Sequence, residues 1–145
     1  MSILKEEIWE TESAEQTEKL AAAFAKRLKA HDFIAFFGDL GSGKTAFVRG
    51  LCQTLCPNAH VCSPTFAIVN EYRGEKLDVY HFDLYRITDD DSLYATGFYD
   101  YFDRNGVVAA EWCENIPFAL PDSRYEVCFE KTGENDRKIT VRTVG

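Results

Sequence analysis

The chain has 145 residues, with 16 Lys+Arg against 24 Asp+Glu for a formal net charge of −8, and 46% of it is apolar. A chain of this length buries roughly 70% of the surface it exposes when unfolded, so one core suffices, and disorder, collagen-like repeats and coiled coil are excluded. The apolar runs at 33–37 and 107–110 are far too short to cross a bilayer and no basic-then-apolar signal opens the chain, so the expectation is one soluble, cytoplasmic domain over residues 1–145.

Residues 3–9 read as an opening strand. Ser13, with Gln16 three residues on, forms a capping-box pattern, and Leu20, Ala23, Phe24 and Leu28 recur at helical spacing, which predicts an amphipathic helix to about residue 30. Phe33-Ile34-Ala35-Phe36-Phe37 is apolar on both faces, the pattern of a central parallel strand, and such a strand needs cover on both sides. After a glycine-rich turn, Ala46, Phe47, Val48, Leu51 and Leu55 form a second helical stripe, ended by Pro57 and Asn58. Residues 66–72 and 76–82 flank Arg73-Gly74-Glu75 as a hairpin. Asp89-Asp90-Asp91-Ser92 opens a short helix, because acids favour the positive end of the helix dipole, and Gly97 stops it. Residues 107–110 are a short buried strand, and 124–131 with 138–144 make a terminal hairpin. The predicted architecture is α/β, with a mostly parallel central sheet and antiparallel additions.

Gly38-Asp39-Leu40-Gly41-Ser42-Gly43-Lys44-Thr45 fits G-x-x-x-x-G-K-[ST] without a gap, entered by a buried strand and left by a helix. This is the context of a P-loop NTPase-like three-layer fold. Glycines let the backbone N–H groups of Gly41, Ser42, Gly43, Lys44, Thr45 and Ala46 curl around a phosphate chain, and the helix that follows adds a positive dipole. Lys44 would reach the β- and γ-phosphates and the Thr45 hydroxyl would ligate Mg²⁺. Gly41-Ser42-Gly43-Lys44-Thr45-Ala46 also satisfies the dinucleotide fingerprint, but a dinucleotide has no use for the Lys-Thr pair, and no acid stands near 62–65 to take a ribose.

A P-loop needs a further carboxylate at the end of a neighbouring buried strand. Val107-Val108-Ala109-Ala110-Glu111 has the more apolar flank, so Glu111 is the expected Mg²⁺ carboxylate. Asp83, ending Tyr80-His81-Phe82-Asp83, is the expected residue to orient the attacking water or hold metal-bound water. The predicted catalytic set is therefore Lys44, Asp83 and Glu111, with Thr45 and Glu111 on the metal. No N-K-x-D element selects guanine, so the nucleotide expected is ATP. No Arg-rich lid is present, and Arg86 is either a lone arginine for the phosphates or a salt-bridge partner.

Residues 51–145 carry 9 basic and 16 acidic side chains, and no basic cluster offers itself to a nucleic-acid backbone. The five cysteines lack C-x-x-C spacing and read as reduced thiols; Cys52 and Cys56, four apart, are a metal pair that no second pair completes. Residues 70–104 hold Tyr72, Tyr80, Tyr85, Tyr94, Phe98, Tyr99, Tyr101 and Phe102, to be divided between core and a protein interface.

The P-loop string, followed in order by Arg49-Gly50-Leu51, Ser63-Pro64-Thr65-Phe66, Asn70-Glu71-Tyr72, His81-Phe82-Asp83-Leu84-Tyr85-Arg86 and Glu111-Trp112, resembles the TsaE (YjeE) family, from about Ser13 to Lys131. That family is the P-loop ATPase component of the bacterial machinery that makes threonylcarbamoyladenosine on tRNA. The resemblance implies ATP and Mg²⁺ as cofactors and two partners, a threonylcarbamoyltransferase subunit and its paralogous scaffold subunit, whose complex is reset by ATP binding and hydrolysis. It places Lys44 and Thr45 on phosphates and Mg²⁺, Glu111 on Mg²⁺, Asp83 in hydrolysis, Thr65 in a nucleotide-sensing loop, Trp112 near the nucleotide and the stretch from Thr11 to Ala14 near adenine. Ala46 departs from it, standing where the family often has a second Thr. A small-molecule kinase using Asp83 as base, and a nucleotide-binding module without turnover, are the alternatives.

Overall fold

The structure is a computed structural model and describes residues 2–38, 43–62 and 68–145. One seven-stranded sheet organises it: β1 (Ile3–Thr11), β2 (Phe33–Phe37), β3 (Val69–Tyr72), β4 (Asp78–Asp83), β5 (Gly106–Glu111), β6 (Arg124–Lys131) and β7 (Arg137–Val144), in the order β1-β7-β6-β2-β5-β4-β3. The four central strands, β6-β2-β5-β4, are mutually parallel, whereas β1, β7 and β3 join antiparallel at the edges. The architecture is the predicted α/β one. β2 and β5 are apolar on both faces because both faces are covered: Ile34, Phe36, Val107 and Ala109 face one core, and Phe33, Ala35, Val108 and Ala110 the other.

The first core lies under α1 (Ala14–Ala25) and α2 (Lys44–Leu55). At its centre Phe47 meets Phe36 at 5.3 Å and Phe129 at 5.9 Å between ring centres, both edge-on, and stacks on Trp9 at 5.9 Å. Each such aromatic pair adds about 0.5–1.5 kcal/mol beyond its buried area. The second core lies under a thinner layer, made of α3 (Asp90–Ala95) and three short 3-10 segments, the two-turn Phe98–Asp103 and the single turns Cys113–Asn115 and Pro117–Ala119. Among the described residues no helix is long and apolar enough to cross a membrane.

Two local readings need correction. α1 ends at Ala25 and not near residue 30. Beyond it Arg27 N–H bonds Phe24 C=O and Leu28 N–H bonds Ala25 C=O, and the Asp32 carboxylate takes the Lys29 N–H to turn the chain into β2. Leu28 is still buried, so the apolar spacing outlasts the helix. The buried stripe of α1 is also rotated: Thr17, Ala21, Phe24 and Ala25 face inward, and Leu20 is exposed. The cause is the contact with α2, where a Cβ on Gly50 would stand 2.4 Å from Glu18 O and 2.6 Å from Ala21 Cβ. Only small residues fit there. Ser13 caps α1 through a bond from Gln16 N–H, while the Gln16 side chain accepts from Glu12 N–H, one residue earlier than in a standard capping box.

Most of the aromatics of 70–104 belong to the cores. Tyr72, Tyr80, Phe98 and Tyr101 are buried in the cores, Tyr99 and Phe102 pack against the second, and Tyr85 and Tyr94 are exposed. Cys52, Cys56 and Cys113 are buried free thiols, Cys128 is half-buried and Cys62 exposed.

Candidate functional site

The carboxyl ends of β2, β4 and β5 lie side by side, which brings residues distant in sequence to one edge of the sheet. β2 passes into Gly38, whose φ of 128° and whose closeness to the Phe129 carbonyl, 2.7 Å from any added Cβ, leave no room for a side chain. Gly43, with φ 111°, stands at the N-cap of α2, and among the described residues no side chain caps that end. The helix dipole makes an anion a favoured acceptor for its first N–H groups. Gly41 and Ser42, assigned to the same cradle, and Thr65, assigned to the nucleotide-sensing loop, lie outside the described residues.

Lys44 opens α2 and is only 4% exposed. Its Nζ is buried, makes no hydrogen bond among the described residues, and rests 4.7 Å from the centre of the Trp112 ring. Trp112 directly follows β5 in the left-handed region, at φ 64°, which carries its indole back across the site, and Tyr85 braces it edge-on at 5.0 Å. Thr45 follows Lys44 half-buried on the same turn, and Ala46 is buried.

The two candidate carboxylates are direct neighbours, since β4 and β5 pair Asp83 with Glu111. Asp83 accepts a hydrogen bond from Tyr85 N–H at 3.1 Å. Burial pushes its carboxyl above the usual range and the charge of Glu111 adds to this, while the Tyr85 N–H, His81 and Lys44 pull the other way. Glu111 is 7% exposed, and its Oε2 lies 2.5 Å from His81 Nε2. Sequence reasoning placed Lys44, Asp83, Glu111 and Trp112 in one site, and all four meet here. It overlooked His81. The available signal was alternation along β4: Val79, His81 and Asp83 share a face, so a residue two before a site carboxylate points the same way.

Near the expected adenine region two of the polar side chains are engaged. Thr11 is buried with its hydroxyl 2.9 Å from that of Thr17, and Ser13 is spent on its cap. Arg86 is exposed and makes no ion pair among the described residues.

The family described as "Threonylcarbamoyl adenosine biosynthesis protein TsaE" matches residues 11–139. The chain belongs to the TsaE family. It is 36% identical over 142 residues to the "tRNA threonylcarbamoyladenosine biosynthesis protein TsaE" of Bacillus subtilis, covering 98% of this chain and 89% of the relative. It is 40% identical over 146 residues to the protein of the same name from Aquifex aeolicus, covering 97% and 98%. The crystal structure of Bacillus subtilis YdiB superposes with a TM-score of 0.80 at 32% identity, across 100% of this chain and 89% of that one. The TsaE resemblance and the P-loop NTPase-like fold both stand on these matches.

Proposed function

We propose that this TsaE-family chain is a Mg²⁺-dependent ATPase serving threonylcarbamoyladenosine formation on tRNA, together with a threonylcarbamoyltransferase subunit and its paralogous scaffold subunit. The relatives' names support the pathway. The observation that carries the chemistry is the buried ammonium of Lys44, which makes no hydrogen bond among the described residues, at the N-terminus of α2, with the carboxylates of Asp83 and Glu111 at the adjoining strand ends. A buried cation without a hydrogen-bonding partner fits a site built for an anion that arrives later.

In this reading Lys44 and the N–H groups of the α2 N-terminus hold the β- and γ-phosphates, and the Thr45 hydroxyl with the Glu111 carboxylate holds Mg²⁺. The bound ion supplies charge neutralisation at the phosphate oxygens. Asp83, an acceptor half open to the site, orients the attacking water. An arginine supplied in trans is worth about 10³–10⁵ in rate in this chemistry, so low turnover alone and a rise when partners dock are expected.

The test is phosphate release from ATP and Mg²⁺ by the purified chain, alone and with the two partner proteins, with Lys44→Ala as control. Slow release that rises with partners and vanishes in the variant supports the proposal. Release that partners leave unchanged, or phosphate passed to a hydroxyl acceptor, overturns it in favour of a silent module or a kinase.

A further inference from the structure

His81 is wholly buried near the end of β4, yet its polar commitments are few. Nδ1 makes no hydrogen bond among the described residues, and Nε2 has one partner, Glu111 Oε2. A carboxylate only accepts, so the imidazole donates through Nε2. The contact is diagonal: His81 pairs in register with Ala109, and Glu111 lies two residues further along β5 on the same face. Ala109 has no side chain that would block this reach, and Val79, two residues earlier on β4, fills its own place in the same core with hydrocarbon. A core position that needed bulk alone would be filled the same way, because burying a ring nitrogen with no partner works against folding.

We propose that His81 is a positioning residue for Glu111. By holding Oε2 it fixes the carboxylate plane, and Oε1, which makes no hydrogen bond among the described residues, is kept for the cation. This rests on the reading of Glu111 as a metal-side carboxylate, and it needs no change of charge at His81. The family strings make His81 one letter of a motif; the geometry gives it a separate task. Residues that orient a metal ligand in this way are typically worth 10–100-fold in metal affinity.

The experiment uses the full chain and a non-hydrolysable ATP analogue, with affinity measured by calorimetry in EDTA and again in Mg²⁺. The gain on adding Mg²⁺ is the readout, and thermal melts with the EDTA affinity report that the fold and P-loop are intact. His81→Gln puts an amide N–H where Nε2 stands, three bonds from Cβ, whereas His81→Asn puts it one bond short. The gain is expected to survive in His81→Gln and to fall about 10-fold or more in His81→Asn. A merely structural histidine treats the two variants alike, so equal gains, both kept or both lost, overturn the proposal. Glu111→Gln separates the layers: it should abolish the gain. If it does not, or if the wild-type chain shows no gain, the cation reading of Glu111 falls and this inference with it; if only the His81 pair fails to split, that reading survives.

Discussion

The Lys44 ammonium lies 4.7 Å from the centre of the Trp112 indole, in a residue 4% exposed. A ring face compensates a buried cation by about 0.5–2 kcal/mol, whereas a phosphate offers charge-assisted hydrogen bonds of roughly twice the neutral strength. Under the proposed function, Trp112 would be a resting place from which a phosphate draws the ammonium. With Trp9→Phe, Trp112 becomes the one remaining indole of two, and its emission is expected to change on ATP addition. In the double variant with Lys44→Ala the starting emission should already be shifted and ATP should add nothing more. Identical starting spectra with and without Lys44 would remove the resting-place account.

Gly50 is the second relationship that decides a measurable quantity. Alanine favours a helix interior by about 1 kcal/mol over glycine, so on propensity alone Gly50→Ala should stabilise α2. The added Cβ would stand 2.4 Å from the Glu18 carbonyl oxygen and 2.6 Å from Ala21 Cβ, and a helix backbone cannot yield as a side-chain tip does. Overpacking of this kind costs about 1–3 kcal/mol, and at this size each kcal/mol lowers Tm by about 2–4 °C. Gly50→Ala should therefore melt lower. A melt at or above the wild-type temperature would show that α1 and α2 separate freely.

What could be read from the residues alone follows a physical line. β2 was legible end to end because apolarity on both faces has one explanation; Asp83 and Glu111 were singled out because each ends an apolar strand, and Lys44 because it closes the glycine-rich string at the start of α2. The end of α1 was not, since Leu28 stays buried after the helix stops and the reversal is set by Asp32 and by His31 at φ 76°. The 3-10 segments of the second layer are one or two turns long, too short for a period to show. Alternation along β4 could have put His81 on the face of Asp83, but its pairing with Glu111 was not legible, because the partner is thirty positions away and only the register between β4 and β5 brings the two together.

Arg27 donates to both carboxylate oxygens of Glu7, at 2.6 and 2.8 Å, tying the end of α1 to β1, and this holds the Glu7 carboxyl below its usual range. Both side chains are partly exposed, so the pair is worth about 0.2–1 kcal/mol. A depressed carboxylate pKa contributes stability above the unfolded value, about 4.3, and loses it as pH falls through the folded one. Arg27→Met, which removes this pair and also the guanidinium carbon 5.3 Å from the centre of the Phe24 ring, should lower the urea midpoint at pH 7, and the difference from wild type should narrow in acid below the ordinary Glu range. It should also shrink in high salt. A difference independent of both pH and salt would assign the effect to packing.

Asp83 runs in the opposite sense. Burial, followed by the opposing Tyr85 N–H and then the charge of Glu111, leaves its carboxyl above the usual range, so the folded protein holds this group at a cost wherever it is ionised. An unfolded Asp ionises near about pH 3.9, and the cost is complete above the raised folded value. Asp83→Asn, whose amide oxygen can still accept from Tyr85 N–H, should therefore melt higher than wild type at pH 7. That advantage should shrink as pH falls through the raised value and be gone below the unfolded one. The same variant should lose phosphate release, the usual exchange of stability for function at a charged site. Carboxyl NMR of the nucleotide-free chain adds the partners' signs: Glu111→Gln should bring the Asp83 titration down and Lys44→Ala should take it up. If Asp83→Asn instead lowers the melting temperature at pH 7, the carboxylate is a structural brace for the β4 end and not a charge held ready for a ligand.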